Sequence, residues 1–577
     1  MQTFRVWAPI PNEVELALGG TCLPMTHRAD GWWTAEVESA APGSDYGYVL
    51  DGEGPFPDPR SPWQPQGVHG LSRLVDHNSF TWTDSGFRAK PLASAIVYEL
   101  HIGTFTPQGT FEAAIEKLDH LAALGITHVE LMPVNQFPGG HGWGYDGVDL
   151  FAPHQAHGGP DGLKRLVNAS HECGLAVLLD VVYNHLGPSG NYLDKFGPYF
   201  SNRYHTPWGP AINFDGPHSD EVRRFFCDNA LMWLRDYHFD GLRLDAVHAI
   251  LDTSAIPFLE QLGAEVKELA SQLGRHLVII PESDLNDPRL IWPVERGGFG
   301  LDAQWSDDFH HALHTVLTGE RTGYYADFGT LADLAKALRN AYVYDGRYSA
   351  YRKRHHGRPS VDLGGHRFLG YAQTHDQVGN RARGERLSQL VRPGRLKIAA
   401  ALVFTSPFVP MLFQGEEWGA ATPFQYFTDH QERELAKAVR EGRRREFAAF
   451  GWRPEDVPDP QDRMTFERSK LDWGELRNAA HADLLEWHWR LIELRRKEPA
   501  LTDGRLDLVQ TRFDESARWL AVERGPITVV CNLAPDAQRL PIRAGQHEVL
   551  MSSDPSLETG QGAAMLPADS VLILRTR

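Results

Sequence analysis

The sequence predicts a multidomain protein of the α/β plus all-β class, with a central (β/α)8 TIM barrel between a small all-β domain and a C-terminal β-sandwich. Eight short apolar segments alternate with amphipathic helical segments between residues 91 and 501. This alternation is typical of parallel strands joined by helical crossovers, and eight such units close a barrel. Outside those limits, short alternating segments and turns replace the pattern.

Residues 1–90 are rich in glycine, proline and aromatic residues, and alternating segments at 14–18 and 34–37 predict short strands. The polar stretch 83–91 marks the end of this domain. Trp32 and Trp33 are candidates for glycan contact, but packing in the domain core is the favoured interpretation. The expected domains are therefore 1–90, 91–501 and 502–577.

The barrel prediction depends on eight strand-like segments: 95–102, 127–134, 176–183, 241–247, 276–283, 301–305, 367–376 and 407–416. Amphipathic patterns predict helices at 111–124, 220–237, 256–273, 395–403 and 480–496. Two long connections, 186–217 and 307–366, follow the carboxyl ends of strands. Because that end of a barrel is its active face, these segments are predicted functional lids.

After residue 502, segments at 519–522, 527–532 and 570–574 predict the strands of the terminal sandwich. The Arg443–Arg445 run before it is interpreted as a solvated helix face.

The chain has 577 residues and a formal net charge of -18, which argues against nucleic acid or an anionic membrane as a partner. A neutral polymer fits better. No apolar run approaches the roughly 18 residues that span a bilayer, and the first residues do not form a secretory signal. Four cysteines, Cys22, Cys173, Cys227 and Cys531, form no CxxC pair. We therefore expect reduced thiols and a cytoplasmic protein.

Four acidic motifs stand at the ends of predicted strands: DVVYNH (180–185), GLRLD (241–245), IPESD (280–284) and THD (374–376). Carboxyl ends of parallel strands meet at one rim, so Asp245, Glu282 and Asp376 are expected to converge. Carboxylates whose pKa values differ suit the cleavage of a glycosidic bond.

Each carboxylate has a predicted role. Arg243 lies two residues before Asp245 on the same face of a strand, where it would keep that carboxylate ionised as a nucleophile. Glu282 ends an apolar strand, so desolvation would raise its pKa and make it the general acid and base. Asp376 would oppose the positive charge of the transition state.

Tyr145 and His185 offer a stacking face and a hydrogen-bond donor to a sugar ring. Asp180 lies within its strand, where a buried structural role is about as probable as substrate contact. His355 and His356 have no spaced ligand partners, so a metal site is weakly supported. A single RxD motif is usually a structural ion pair, but four motifs in this order are much more specific.

The segments DVVYNH, GLRLDAVH, PESD and THD resemble the four motif regions of the α-amylase superfamily of glycoside hydrolases, and FRVWAP (4–9) resembles the β-sandwich module that precedes the barrel in some members. The resemblance implies a retaining mechanism with Asp245 as nucleophile, Glu282 as acid/base and Asp376 as transition-state stabiliser. It also implies residues around the sugar at the cleavage site: Tyr145, His185, Arg243 and His375.

Within the superfamily, DGLRLDAVHAI, PESDLNDP and QWSDDFHHALH are most similar to the trehalohydrolase members. This likeness implies cleavage of the α-1,4 bond beside the trehalose end of a maltooligosaccharide chain, as a step of trehalose biosynthesis, after a synthase has isomerised the reducing end. Branching enzymes usually carry a doubled glutamate at the acid/base, whereas Ser283 follows Glu282 here.

Trp305, Asp308 and Phe309, with His248 nearby, are candidates for reading the trehalose end, a hypothesis from their placement alone. Asn135 matches a calcium ligand of some amylases, but no set of oxygen ligands accompanies it, so neither metal nor cofactor is expected.

Two other functions remain open from the sequence. A glucan transferase such as a 1,4-α-glucan branching enzyme uses the same nucleophile, and exclusion of water by residues 307–366 would favour transfer. A non-catalytic glucan-binding barrel is the third possibility, and the presence of all three carboxylates argues against it.

Overall fold

The computed structural model describes residues 1–38, 40–448, 452–560 and 562–576. Its centre is one sheet of eight parallel strands: Val97–Leu100, His128–Leu131, Ala176–Val181, Gly241–Leu244, Val278–Pro281, Gln304–Trp305, Phe368–Tyr371 and Val409–Phe413. In chain order these pair as 5-4-3-2-1-8-7-6. The Asp302 N–H donates to the Ile279 carbonyl at 3.0 Å and joins the two edges. All eight predicted strands and the barrel are confirmed.

The barrel strands are apolar because both of their faces are buried. Val97, Leu178, Ile280, Leu369 and Met411 share one buried cluster although they come from strands on opposite sides of the sheet. This cluster therefore fills the barrel interior, while the outer faces pack against helices.

The predicted helices are confirmed with one correction. Residues 111–124 form two helices, Phe111–Ile115 and Leu118–Leu124, because the Lys117 N–H donates to the Ala114 carbonyl in a tighter turn. The other four predicted helices are Ser219–Asp236, Phe258–Leu273, Pro393–Thr405 and Ala479–Lys497.

Four further long helices are not among the predicted ones: Gly159–Glu172, Asp307–Thr318, Leu331–Asn340 and Arg433–Ala448. In the last of these only Phe447 is buried, so the apolar periodicity that would predict the helix is missing. Shorter helices are Ile102–Phe105, Leu193–Phe196, His375–Gly379, Leu387–Leu390, Arg463–Arg468 and Pro499–Thr502.

The two long connections carry structure of their own. Residues 186–217 contain a hairpin of Phe200–Thr206 and Gly209–Ile212. Residues 307–366 contain two of the unpredicted helices and a hairpin of Asp345–Ser349 and Arg354–Gly357. A further two-stranded ribbon, Asn135–Gln136 with Asp149–Pro153, follows the second barrel strand. These segments line the carboxyl-end face of the barrel.

Each end of the chain forms two antiparallel sheets. The N-terminal sheets are Gln2–Trp7, Trp32–Val37 and Thr26–His27, and Thr21–Pro24, Val14–Leu18, Asp45–Leu50, Glu53–Phe56 and Ser72–Arg73. The C-terminal sheets are Val509–Asp514, Trp519–Arg524, Ile527–Asn532, Ser570–Thr576 and His547–Ser552, and Gln538–Pro541, Ala563–Leu566 and Glu558–Gly560. The domain limits at residues 90 and 501 stay predictions.

Trp33 is buried and its indole N–H donates to the Ala8 carbonyl at 2.9 Å, as the core interpretation predicts. Trp32 is half-buried beneath the Arg5 guanidinium, 4.8 Å from the ring centre. In the described part of the chain, no helix combines the length and apolar character needed to span a bilayer.

Candidate active site

The three predicted carboxylates lie at the carboxyl ends of barrel strands and line one cleft. Asp245 follows the fourth strand, Glu282 follows the fifth, and Asp376 lies in the short helix His375–Gly379 after the seventh. All three border the same cavity of about 290 Å3. The structure therefore brings together side chains that are up to 131 residues apart, from position 245 to position 376.

Arg243 connects two of these carboxylates. Its Nη1 donates to Asp245 Oδ1 at 2.8 Å, and its Nη2 lies 3.6 Å from Glu282 Oε2. Nη1 also contacts both oxygens of Asp180, at 2.9 and 2.8 Å. Because the guanidinium is buried and lies 4.3 Å over the Trp305 ring, it has a fixed orientation. Asp245 is thus oriented by a charge-assisted hydrogen bond.

Glu282 has the environment of a carboxylic acid rather than a carboxylate. Desolvation raises its pKa well above the usual value, and the nearby Arg243 charge offsets this only in part. The Asp307, Asp245 and Asp376 carboxyls raise the pKa further. Its Oε2 accepts the Ala246 N–H at 2.8 Å, which fixes the side chain. Glu282 therefore keeps its proton to higher pH than an exposed glutamate does, as a general acid requires.

Asp376 is open to the cleft. Desolvation by the cleft walls raises its pKa, although His375 and Arg243 oppose this effect. Its Oδ1 accepts the Asn380 side-chain N–H at 2.6 Å. The same short helix packs tightly on Trp143, because a Cβ at Gly379 would lie 2.0 Å from the indole ring.

Tyr145 and His375 form one hydrogen-bonded pair beside the carboxylates. The Tyr145 hydroxyl donates to Asp180 Oδ2 at 2.6 Å and lies 2.9 Å from His375 Nε2. The two rings stack with centres 5.2 Å apart. His375 Nδ1 contacts the Glu99 carboxylate; burial lowers the pKa of the imidazole, but the Glu99 charge and hydrogen bond raise it above its usual value.

Asp180 is buried under this pair and contacts Arg243 and Tyr145. This placement favours the structural role over direct substrate contact.

His185 lines the cleft and stacks on Trp208, with ring centres 5.0 Å apart and planes at 13°. Trp208 lies between the strands of the hairpin in the first long connection and is 47% exposed. The sequence predicts the connection as a lid but does not single out Trp208. An aromatic residue in a predicted lid is the signal that would have found it.

The cleft has two halves that meet at Asp245, Asp376, His375 and Trp208. The aromatic half, about 400 Å3, is lined by Trp143, Tyr145 and Tyr426 together with Asn380, Arg443 and Glu446. The charged half, about 290 Å3, is lined by Glu282, Asp284, Asp307, His311 and Arg352, together with Trp305 and His248.

Two predicted site residues lie outside the cleft. Asp308 points into the protein, where its Oδ2 accepts the Val343 N–H at 2.6 Å and the Tyr344 N–H at 2.8 Å. Phe309 is fully buried and packs on Phe408, with ring centres 5.2 Å apart. Successive residues of a helix face different directions, and Asp307 is the one that faces the cleft. The hypothesis that Asp308 and Phe309 read the trehalose end therefore does not fit their positions.

In the described ranges, no three His, Cys, Asp or Glu side chains lie close enough together to hold a metal. Asn135 packs against Gly147, and His355 and His356 each contact a backbone carbonyl, of Gly346 and Asp284 respectively. Chemistry without a metal stays a prediction.

Comparison with known proteins gives matches along the whole chain. Residues 75–206 match the family model of the alpha amylase catalytic domain, and residues 504–573 match a domain of unknown function, DUF3459. A relative from Rhizobium sp. (strain M-11), named malto-oligosyltrehalose trehalohydrolase, is 51% identical over 583 residues, covering 99% of this chain and 97% of its own. A relative of the same name from Mycobacterium tuberculosis is 50% identical, with coverage of 100% and 99%.

Among solved structures, a crystal structure described as a candidate alpha amylase from Salmonella typhimurium has a TM-score of 0.92 at 39% identity, covering 100% of this chain and 97% of that one. Identity near 50% over the full length extends well beyond the four motifs. This chain belongs to the malto-oligosyltrehalose trehalohydrolase family of the α-amylase superfamily.

Proposed function

We propose that this protein is a retaining glycoside hydrolase that cleaves the α-1,4-glucosidic bond beside the trehalose end of maltooligosyltrehalose. The products are free trehalose and a maltooligosaccharide. The observation that carries the proposal is one cleft in which an Arg-paired carboxylate, Asp245, faces a desolvated acid, Glu282. The name shared by relatives at about 50% identity supports the substrate.

In the first step, Asp245 attacks the anomeric carbon while Glu282 protonates the glycosidic oxygen. The carbon–oxygen bond to trehalose breaks, and a glycosyl ester forms on Asp245. In the second step, water attacks the same carbon, Glu282 accepts the proton of the water, and the ester bond to Asp245 breaks. Asp376 stabilises the positive charge that develops in both transition states.

The position of Glu282 sets the direction of the substrate. Glu282 borders the charged half of the cleft and not the aromatic half. Since a general acid must lie beside the leaving oxygen, trehalose occupies the charged half, near Trp305 and His248. The glucan chain lies in the aromatic half. Around the sugar between them are Tyr145, His185, Arg243 and His375.

Another enzyme must make the substrate. The proposed functional partner is a synthase that isomerises the reducing end of a maltooligosaccharide. We place both reactions in the cytoplasm. All four cysteines are free thiols in the structure, which supports a reducing compartment.

Product analysis tests the proposal against the branching alternative. The purified protein is incubated with maltotriosyltrehalose and, separately, with maltopentaose and amylose. Trehalose with maltotriose, and little change in the plain glucans, is the expected result. New α-1,6 branches in amylose without trehalose release would establish a transferase instead.

A further inference from the structure

Helix Arg433–Ala448 follows the eighth barrel strand and borders the aromatic half of the cleft through Val439, Arg443 and Glu446. It is one of the most polar helices in the chain, and most of its side chains are exposed or half-exposed. The sequence predicts that the run Arg443–Arg445 forms a solvated helix face. This prediction is wrong for Arg443, whose side chain is only 10% exposed.

Arg443 reaches from this helix to the helix that carries Asp376. Its Nη2 donates to the Gly379 carbonyl at 2.5 Å, and its Nη1 donates to Asn380 Oδ1 at 3.1 Å. Asn380 Nδ2 in turn donates to Asp376 Oδ1 at 2.6 Å. The three side chains form an unbroken relay that ends on a carboxylate of the cleft.

The Asn380 amide can make both hydrogen bonds of this relay in only one orientation. The guanidinium has no acceptor, so the amide oxygen must face Arg443, and a carboxylate has no donor, so the amide nitrogen must face Asp376. Because both ends are charged, both hydrogen bonds are of the stronger kind. The amide therefore transmits the position of Arg443 to Asp376.

Arg443 is itself well fixed. The guanidinium lies 5.1 Å over the Tyr426 ring and 4.6 Å over the Phe447 ring, and Nη1 also contacts Glu446 at 3.0 Å. Stacking on two rings restricts the planar group more than an ion pair alone would.

We propose that Arg443 is a positioning residue for Asp376, acting through Asn380, so that docking of helix Arg433–Ala448 on the barrel rim sets the geometry of the transition-state stabiliser. This inference rests on the proposed function, which gives Asp376 that role. A carboxylate that acts in the transition state must be held in place, and a small misplacement reduces kcat far more than it changes substrate binding.

The test is a double-mutant cycle of Arg443→Ala and Asn380→Ala, with Arg445→Ala as the matched control. Arg445 lies on the same helix, its side chain is 73% exposed, and its ion pair with Glu441 is long at 3.9 Å. Kinetics are measured with maltotriosyltrehalose and with α-maltotriosyl fluoride, in which fluoride is the leaving group in place of trehalose.

We expect each single variant to lower kcat by about 10-fold or more with KM within about twofold. The double variant should lose no more than the larger single loss, since the two residues act in series. Arg443→Lys should recover only part of the rate, because one ammonium does not reproduce the guanidinium fork. Arg445→Ala should match wild type.

Additive losses, an effect on KM alone, or unchanged kcat in Arg443→Ala would overturn the inference. If Arg443→Ala does not fold, Arg443→Lys replaces it in the cycle. A wild-type protein that turns over α-maltotriosyl fluoride but releases no trehalose would refute the proposed function alone. The double-mutant cycle would then be measured with α-maltotriosyl fluoride. A wild-type protein inactive on both substrates overturns both proposals.

Discussion

Apart from the four residues at which they meet, the two halves of the cleft present different side chains. The aromatic half presents the rings of Trp143, Tyr145 and Tyr426, whereas the charged half presents Glu282, Asp284, Asp307, His311 and Arg352. Aromatic faces bind the C–H side of a sugar ring and accept any similar ring. Charged groups form directional hydrogen bonds that reject a ligand lacking the right hydroxyls. The aromatic half therefore suits a repeating chain, and the charged half suits a unique end.

Asp245 lies where the halves meet, so its replacement gives the largest expected effect. Asp245→Asn should lower kcat by about 10⁴-fold on both maltotriosyltrehalose and α-maltotriosyl fluoride, because both need the nucleophile. Trehalose is measured by chromatography and fluoride by electrode. Loss on only one substrate would show that the halves do not share this centre.

Glu282→Gln should affect the two substrates differently. Fluoride leaves without protonation, so a rapid burst of fluoride from α-maltotriosyl fluoride should survive, whereas cleavage of maltotriosyltrehalose should slow by about 10²–10⁴-fold. Rapid-quench measurement of both reactions checks this. If the burst and the trehalose reaction fall equally, Glu282 is not a general acid for the leaving group.

Asp308→Ala should affect stability and not specificity, although the sequence singled out this residue as a substrate contact. The change leaves the buried Val343 and Tyr344 N–H groups without their acceptor, and the Asn286 amide keeps only its hydrogen bond to the Tyr344 carbonyl. Each unsatisfied donor costs about 1–3 kcal/mol, and the apparent Tm should fall by about 5 °C or more. A normal Tm with lost preference for trehalose-ended substrate would restore the original hypothesis.

The fold and the three carboxylates are predictable from sequence because strands buried on both faces appear as apolar runs, and each acidic motif ends such a run. The register of residues 307–309 is not predictable, since neighbouring residues on a helix differ by about 100° and nothing local marks the cleft side. Trp208 carried a usable signal, an aromatic side chain in a predicted lid, whereas Arg443 did not. A run of arginines is typical of a solvated helix face, and only the tertiary fold brings Arg443 against the helix that carries Asp376.

Asp307 offers the smallest and most selective test. It borders the charged half, and its Oδ1 accepts the Tyr371 hydroxyl hydrogen at 2.6 Å. Desolvation raises its pKa to about 7; the Tyr371 hydrogen bond opposes this, and the carboxyls of Asp376, Asp284 and Asp308 add to it. Its own negative charge raises the pKa of Glu282.

Asp307→Asn removes that charge, so Glu282 should lose its proton at lower pH. The alkaline limb of kcat/KM for maltotriosyltrehalose should therefore move to lower pH, because this reaction requires the protonated acid. The burst of fluoride from α-maltotriosyl fluoride needs no protonated acid, so the alkaline limb of its pH profile should stay at the same pH. Asp308→Asn, one residue away but facing the protein, is the matched control. An unmoved limb, or a shift to higher pH, would show that the charged half does not set the protonation of Glu282.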